Sequence, residues 1–200
     1  MATEPDHRHQ SHLWFVYPGA GPVPADLIAA ASRSLDARGD ESTGWSLAWR
    51  LALRARLREP DAISRLLRLF FRDMTTQRGP HSGGLHPNLF SAHPPFQIDA
   101  NFGYVAAVAE CLVHSHAGEI VLLPALPREF APGSIAGLVA RPGVQVDLRW
   151  DAAGSVVTAE LRPLTPEAAG RHRVSYGGSC TDVDLSTGPT ALTPQSFAPR

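Results

Sequence analysis

Two stretches of the chain concentrate side chains that can donate, accept or move protons. The first is Asp6-His7-Arg8-His9-Gln10-Ser11-His12. Three imidazoles at spacings of two and three are a conceivable metal set, but no carboxylate or cysteine group of matching spacing accompanies them, so we assign no metal. The same residues suit a carbohydrate. Arg and His donate to sugar hydroxyls, and His gains or loses a proton near neutral pH. The second stretch runs from His86-Pro87-Asn88-Leu89-Phe90 through His93-Pro94-Pro95-Phe96-Gln97-Ile98-Asp99-Ala100-Asn101-Phe102-Gly103. Pro94 and Pro95 stop a helix and keep the chain extended. Asp99 and Asn101 then stand at an expected helix start. Either could be an N-cap, worth about 1 kcal/mol. A carboxylate there has its charged form favoured by the helix dipole, which suits a base better than an acid.

Other chemistry has no foothold. The sequence lacks a glycine-rich phosphate loop, a Gly-x-Ser-x-Gly nucleophile turn and a His-Glu-x-x-His pair. Trp45 and Trp49 stand four residues apart and could form a sugar-stacking face, although tryptophan is more often core. Two cysteines, Cys111 and Cys180, exclude a disulfide scaffold and a four-cysteine zinc site and are expected as thiols. With 18 basic residues, all of them Arg, against 19 acidic ones, the net charge is -1 and no basic run stands out. That balance gives no electrostatic case for nucleic acid or an anionic membrane. No apolar run approaches the roughly 20 residues of a membrane span. The polar, His-rich start is not a signal peptide, and localisation is left unassigned.

The elements that must position these residues follow from periodicity. Helices are expected after Pro24 up to Gly39, from Gly44 to Leu57, from Pro60 to Met74, and from Asn101 to His116. The second is apolar nearly all round and needs partners on several sides. Beyond about residue 118 the pattern changes to short alternating runs: 120–123, 135–141, 144–150, 156–162 and 171–176. Val144, Val146, Leu148 and Trp150 alternate with polar neighbours, and Asp151-Ala152-Ala153-Gly154 makes the turn that follows. The expected organisation is therefore a helical part over 1–118, a β part over 119–188 and a loose tail over 189–200. The fold class is α+β.

Taken together the segments resemble glycoside hydrolase family 95, the inverting α-L-fucosidases. The resemblance runs through Asp6-His7-Arg8-His9, Ser11-His12-Leu13, Tyr17-Pro18-Gly19, Thr43-Gly44-Trp45-Ser46-Leu47-Ala48-Trp49, Asn88-Leu89-Phe90 and His93-Pro94-Pro95-Phe96-Gln97-Ile98-Asp99. It continues through Asn101-Phe102-Gly103, Gly118-Glu119-Ile120, Leu122-Leu123-Pro124-Ala125-Leu126-Pro127, Gly133-Ser134, Gly137-Leu138 and Ala140-Arg141. It implies a partial (α/α)6 barrel of about four helices followed by a small antiparallel, sandwich-like β domain. It implies release of terminal α-L-fucose from a fucosylated oligosaccharide, without a cofactor.

By the same resemblance, Asp99 matches the carboxylate that draws a proton from the attacking water by way of an asparagine pair. Arg8 and His9 match sugar-pocket residues, and His93 and Asn101 lie in the matched loop with the same expected role. The family's general acid, a Glu, and the asparagine pair belong upstream of the Asp6–His9 segment. The 200 residues alone are thus expected to be inactive or nearly so. Two other readings stay open: a non-catalytic carbohydrate- or partner-binding module, and an α-L-galactosidase of the same family. An incomplete barrel also implies self-association, expected through exposed barrel helices such as that over 44–57.

Overall fold

The computed structural model describes residue 4 and residues 6–75, 82–93 and 95–198. Cα packing divides the chain into two compact units, residues 1–110 and 111–200.

The first unit is built on helices. Helix α1 spans Ala25–Arg38, behind Pro24 and ahead of Gly39, whose φ of +69° ends it. Helix α2 spans Gly44–Arg56 and α3 spans Pro60–Phe70, with proline in its first turn. Helix α4 spans Asp99–Leu112 and crosses the division between the units. Leu47, Ala48, Leu51, Ala52, Leu53 and Ala55 of α2 are each at most 2% exposed. An all-round apolar helix is thereby satisfied. The expectation that α2 presents an open apolar patch is corrected in extent: most of its apolar side chains are covered, with Trp49 left 38% exposed, and large exposed apolar side chains of this unit include Phe102 and Val105 on α4. Leu53 and Leu57 join Leu13, Val16, Ala31 and Leu35 in one core cluster.

Two arginines of α2 whose side chains are buried form ion pairs with carboxylates of neighbouring segments. Arg54 reaches Asp36 at 2.6 Å and also bonds Glu59, joining α1 to the residue that caps α3. Arg56 grips Glu110 with two bonds of 2.5 and 3.0 Å and donates to the Gly19 carbonyl at 2.8 Å. Helix α3 stops at Phe70, four residues short of the expected Met74. Asp73 then enters a bridge with Leu85, and the Met74 N–H donates to Leu85, so the chain is committed to a loop.

The second unit holds eight strands: β1 Val113–His114, β2 Ile120–Leu122, β3 Gly133–Ala140, β4 Val144–Trp150, β5 Val156–Pro163, β6 Arg171–Tyr176, β7 Ser179–Asp184 and β8 Thr190–Leu192. They form two sheets, ordered β1-β2-β6-β7 and β3-β4-β5-β8. All pairs are antiparallel except β2 with β6, where Ile120 faces Val174 in parallel register. Val144, Val146, Leu148 and Trp150 are at most 5% exposed, as their alternation requires. The Tyr176 hydroxyl accepts the Val156 N–H at 2.9 Å and so joins the two sheets.

Three expectations are revised. Helix α4 ends at Leu112, because Val113 and His114 pair with β2. Strand β7 extends the hairpin beyond the expected β6. The segment after Gly188 is not a loose tail: β8 pairs with β5, and a 3-10 helix over Pro194–Phe197 buries Phe197 against Tyr176, ring centroids 5.7 Å apart. Cys111 is buried and Cys180 exposed, both as thiols.

Candidate active site

The N-terminus of α2 is the meeting point. The Gly44 N–H donates to the Ala92 carbonyl at 2.9 Å, and the Gly83 N–H donates to Ser42 at 2.7 Å. The approach is close enough that a Cβ on Gly44 would stand 2.3 Å from the Ser91 hydroxyl. Only glycine lets the 91–93 loop lie there. From the other side, the Ser46 hydroxyl donates to the Arg8 carbonyl at 2.5 Å and holds the N-terminal segment in place.

This docking gathers rings from three separate segments. The His9 imidazole stands edge-on to Trp45, centroids 4.9 Å apart, and His93 lies on Trp45 at 6.3 Å. His7 stacks on His9 at 5.0 Å, and its Nδ1 accepts the His9 N–H at 3.1 Å. His9 is exposed, while Arg8 and His93 are half-buried. Two of the expected sugar-contacting residues, His9 and His93, thus lie around one tryptophan, and Arg8 is held beside them through its carbonyl by Ser46, the residue after Trp45. Trp45 and Trp49 do not form a common face: Trp49 meets Tyr17 instead, at 5.5 Å.

The start of α4 is tied to the same loop. The Asn101 Oδ1 accepts the Ser91 N–H at 3.0 Å, and its Nδ2 donates to the Leu89 carbonyl at 3.0 Å. Leu89 has φ +67°, a left-handed conformation that costs a leucine about 1–2 kcal/mol. The Asn101 amide fixes that strained carbonyl. Neither Asp99 nor Asn101 is the N-cap: Ile98 precedes the helix, and its carbonyl accepts the Asn101 N–H at 3.0 Å. Asp99 is the first helical residue, and its side chain is exposed.

Sequence reasoning placed Trp45 in the core and missed its position between two imidazoles. Its signal was adjacency to Gly44, where a bare backbone permits close docking. Among the described residues, no group of three or more His, Cys, Asp or Glu is placed to hold a metal ion.

Comparison with known proteins decides the family. The model of the glycosyl hydrolase family 95 catalytic domain matches residues 1–112, and that of the family 95 C-terminal domain matches 114–188. The chain belongs to glycoside hydrolase family 95. The catalytic-domain match covers the helices and the His-rich segment; the C-terminal match covers β2 to β7 and the last residue of β1. Alpha-L-fucosidase 2 of Arabidopsis thaliana is 45% identical over 153 residues, covering 74% of this chain and 18% of that protein. Probable alpha-fucosidase A of Aspergillus oryzae is 38% identical over 173 residues, covering 76% and 23%. Its namesake in Aspergillus niger is 33% identical over 170 residues, covering 75% and 21%. The family 95 chain therefore spans about a fifth of the length of these relatives.

Proposed function

We propose that this chain carries the sugar-binding and water-activating part of an inverting α-L-fucosidase active site. The observation that carries the reading is the His9–Trp45–His93 cluster. Two segments far apart in sequence, each singled out for its chemistry, present their imidazoles around one indole. The relatives' names supply the sugar: all three are called fucosidases.

An inverting hydrolase needs an acid on the leaving oxygen and a base beyond the water, roughly 6.5–9.5 Å apart. In this reading Asp99 is the carboxylate on the basic side. An amide is too weak a base alone, so the carboxylate takes the proton that oriented amides relay from water. Arg8, His9 and His93 donate to the fucose hydroxyls. Asn101 acts through the loop it clasps and is a positioning residue. The acid is a Glu belonging to the part of the catalytic domain that relatives carry ahead of the Asp6–His9 segment.

The test is complementation. The 200-residue chain alone releases no fucose from a 2'-fucosylated oligosaccharide. Adding that preceding catalytic segment of a family member restores release, and Asp99→Asn in this chain lowers the restored rate by about three orders of magnitude or more. Undiminished release with Asp99→Asn overturns the assignment of the base. Glycan binding without any release, however complemented, favours a non-catalytic module.

A further inference from the structure

Strand β7 ends the β1-β2-β6-β7 sheet, and a cleft of about 690 Å³ runs beside it. Residues 178–182 and Asp184 form one wall, residues 196–198 at the end of the 3-10 helix stand opposite, and Arg171 of β6 also borders it. Successive strand residues point to opposite faces. A cleft that touches Ser179, Cys180, Thr181 and Asp182 in turn therefore follows the edge of the strand. We propose that this edge receives an extended peptide segment in which basic and apolar side chains alternate.

The backbone supplies the first argument. The turn between β6 and β7 is Gly177-Gly178, both at positive φ. A two-residue turn makes its flanking residues, Tyr176 and Ser179, a hydrogen-bonded pair, and then every second pair beyond them. Val174 with Thr181 and His172 with Val183 are accordingly the bonded pairs. The N–H and C=O groups of Cys180, Asp182 and Asp184 turn away from β6 toward the open edge. Such a row is a template for another strand.

Side chains select the occupant. Val174 and Val183 are buried on the inward face, so Cys180, Asp182 and Asp184 share the outward face with Arg171 and Arg173. Arg171 lies across from Asp184 and Arg173 across from Asp182. The row behind is thus basic and the outermost row acidic. Hydrogen bonds from Ser186, by its hydroxyl and then its N–H, hold the Asp184 carboxyl below its ordinary range, so it is ionised at neutral pH. The Arg173 guanidinium stands 3.9 Å from Asp182. A carboxylate has about four acceptor sites, so each can take a further donor. Opposite charges across neighbouring strands attract and like charges repel. Basic residues therefore suit the outward face of an incoming strand. Its inward residues meet the wall of Phe197 and Ala198, with Phe197 packed on the inward Tyr176 ring, and there apolar side chains fit. A second copy of β7 is the poorer occupant, since antiparallel pairing centred on the open row sets Asp182 against Asp182.

The probe is a labelled hexapeptide with the sequence of residues 171–176, Arg-His-Arg-Val-Ser-Tyr, which in the fold already sets its arginines on the acidic face of β7. Fluorescence anisotropy with the 200-residue chain should show saturable binding with Kd below about 1 mM. Asp182→Lys with Asp184→Lys should weaken it by about tenfold or more, with circular dichroism unchanged. Two methylated peptides separate strand addition from plain ionic attraction without any protein variant. In antiparallel addition opposite the open row, the arginine N–H groups point at β7 and those of the histidine and valine point away. N-methylation of both arginines should abolish binding, and N-methylation of the histidine and valine should leave it largely unchanged. Equal behaviour of the two methylated peptides overturns the proposal. So does binding that survives the folded double lysine variant, or no saturable binding of the unmodified peptide. Hydrogen exchange reads the remaining occupant. The Cys180, Asp182 and Asp184 amides should exchange fast in the chain alone and slowly with the peptide bound. If they are already protected in the chain alone, a second copy covers the edge and the proposal falls.

Discussion

The side chain of Asn101 closes a hydrogen-bonded ring with the backbone of Ser91, accepting its N–H at 3.0 Å while donating to Leu89 two residues earlier. This clasp joins the start of α4, where Asp99 stands, to the loop that carries His93. It converts two sequence neighbourhoods into one end of the helical unit.

Removing the clasp should be measurable as stability. Asn101→Ala deletes both bonds and leaves the part-buried Ser91 N–H to find another partner, a loss of about 1–2 kcal/mol. Asn101→Asp retains the acceptor and loses the donor, and should cost about half as much. Urea midpoints of the two variants check the order. Equal midpoints for wild type and Asn101→Ala would show that the loop is held by the Gly44–Ala92 contact alone.

The ion pair between Arg56 and Glu110 makes a larger prediction. The two side chains are 6% and 19% exposed, and the grip is bidentate. The Arg56 guanidinium also lies over the Tyr17 ring, 5.3 Å from its centroid. Glu110→Ala leaves a buried arginine uncompensated and should cost about 3–5 kcal/mol. Arg56→Lys should restore little, since an ammonium cannot reproduce the two-pronged contact. A double-mutant cycle in chemical denaturation measures the coupling.

These contacts mark the limit of what the sequence made legible. Periodicity revealed α2 and β4 well, because their burial follows one rule along the whole element. It placed the end of α4 too late, since Val113 is equally apolar in a helix or a strand and only pairing with β2 decides. Strand β8 was invisible: Thr190, Ala191 and Leu192 are too few to show a period, and their partner β5 is remote in sequence. At the site, residue type singled out the two segments that hold His9 and His93, and the family resemblance picked out the individual residues. Position within the fold was needed to find Trp45 between His9 and His93, and an Asn101 amide spent on the loop backbone.

Acid should weaken the fold through His12. Its Nε2 lies 2.8 Å from the Ser34 hydroxyl. Burial first, and then the charge of Arg38, hold its pKa below the ordinary 6.5. The unfolded chain therefore takes the proton first as pH falls. Stability declines from 6.5 down to the folded pKa and is level below it, as far as this group is concerned. An NMR titration should give a His12 midpoint below 6.5, and His12→Gln should flatten that part of the stability profile. A midpoint at or above 6.5 contradicts the sign.

Helix α4 and the residue just before it carry an open apolar stripe. Ile98, Phe102 and Val105 follow at intervals of four and three residues and fall on one helical face. They are 43%, 69% and 64% exposed. Neighbouring large apolar side chains on one face seek cover, and monomers seldom leave such patches open. The 200-residue chain on its own should therefore self-associate at micromolar concentration and bind an apolar dye. Phe102→Asp with Val105→Glu places two charges on the stripe without touching the clasp at Asn101. That variant should sediment as a smaller species and bind less dye, with its circular dichroism unchanged. A wild-type chain that stays monomeric over the same range, and binds no more dye than the double variant, would mean that this face needs no partner.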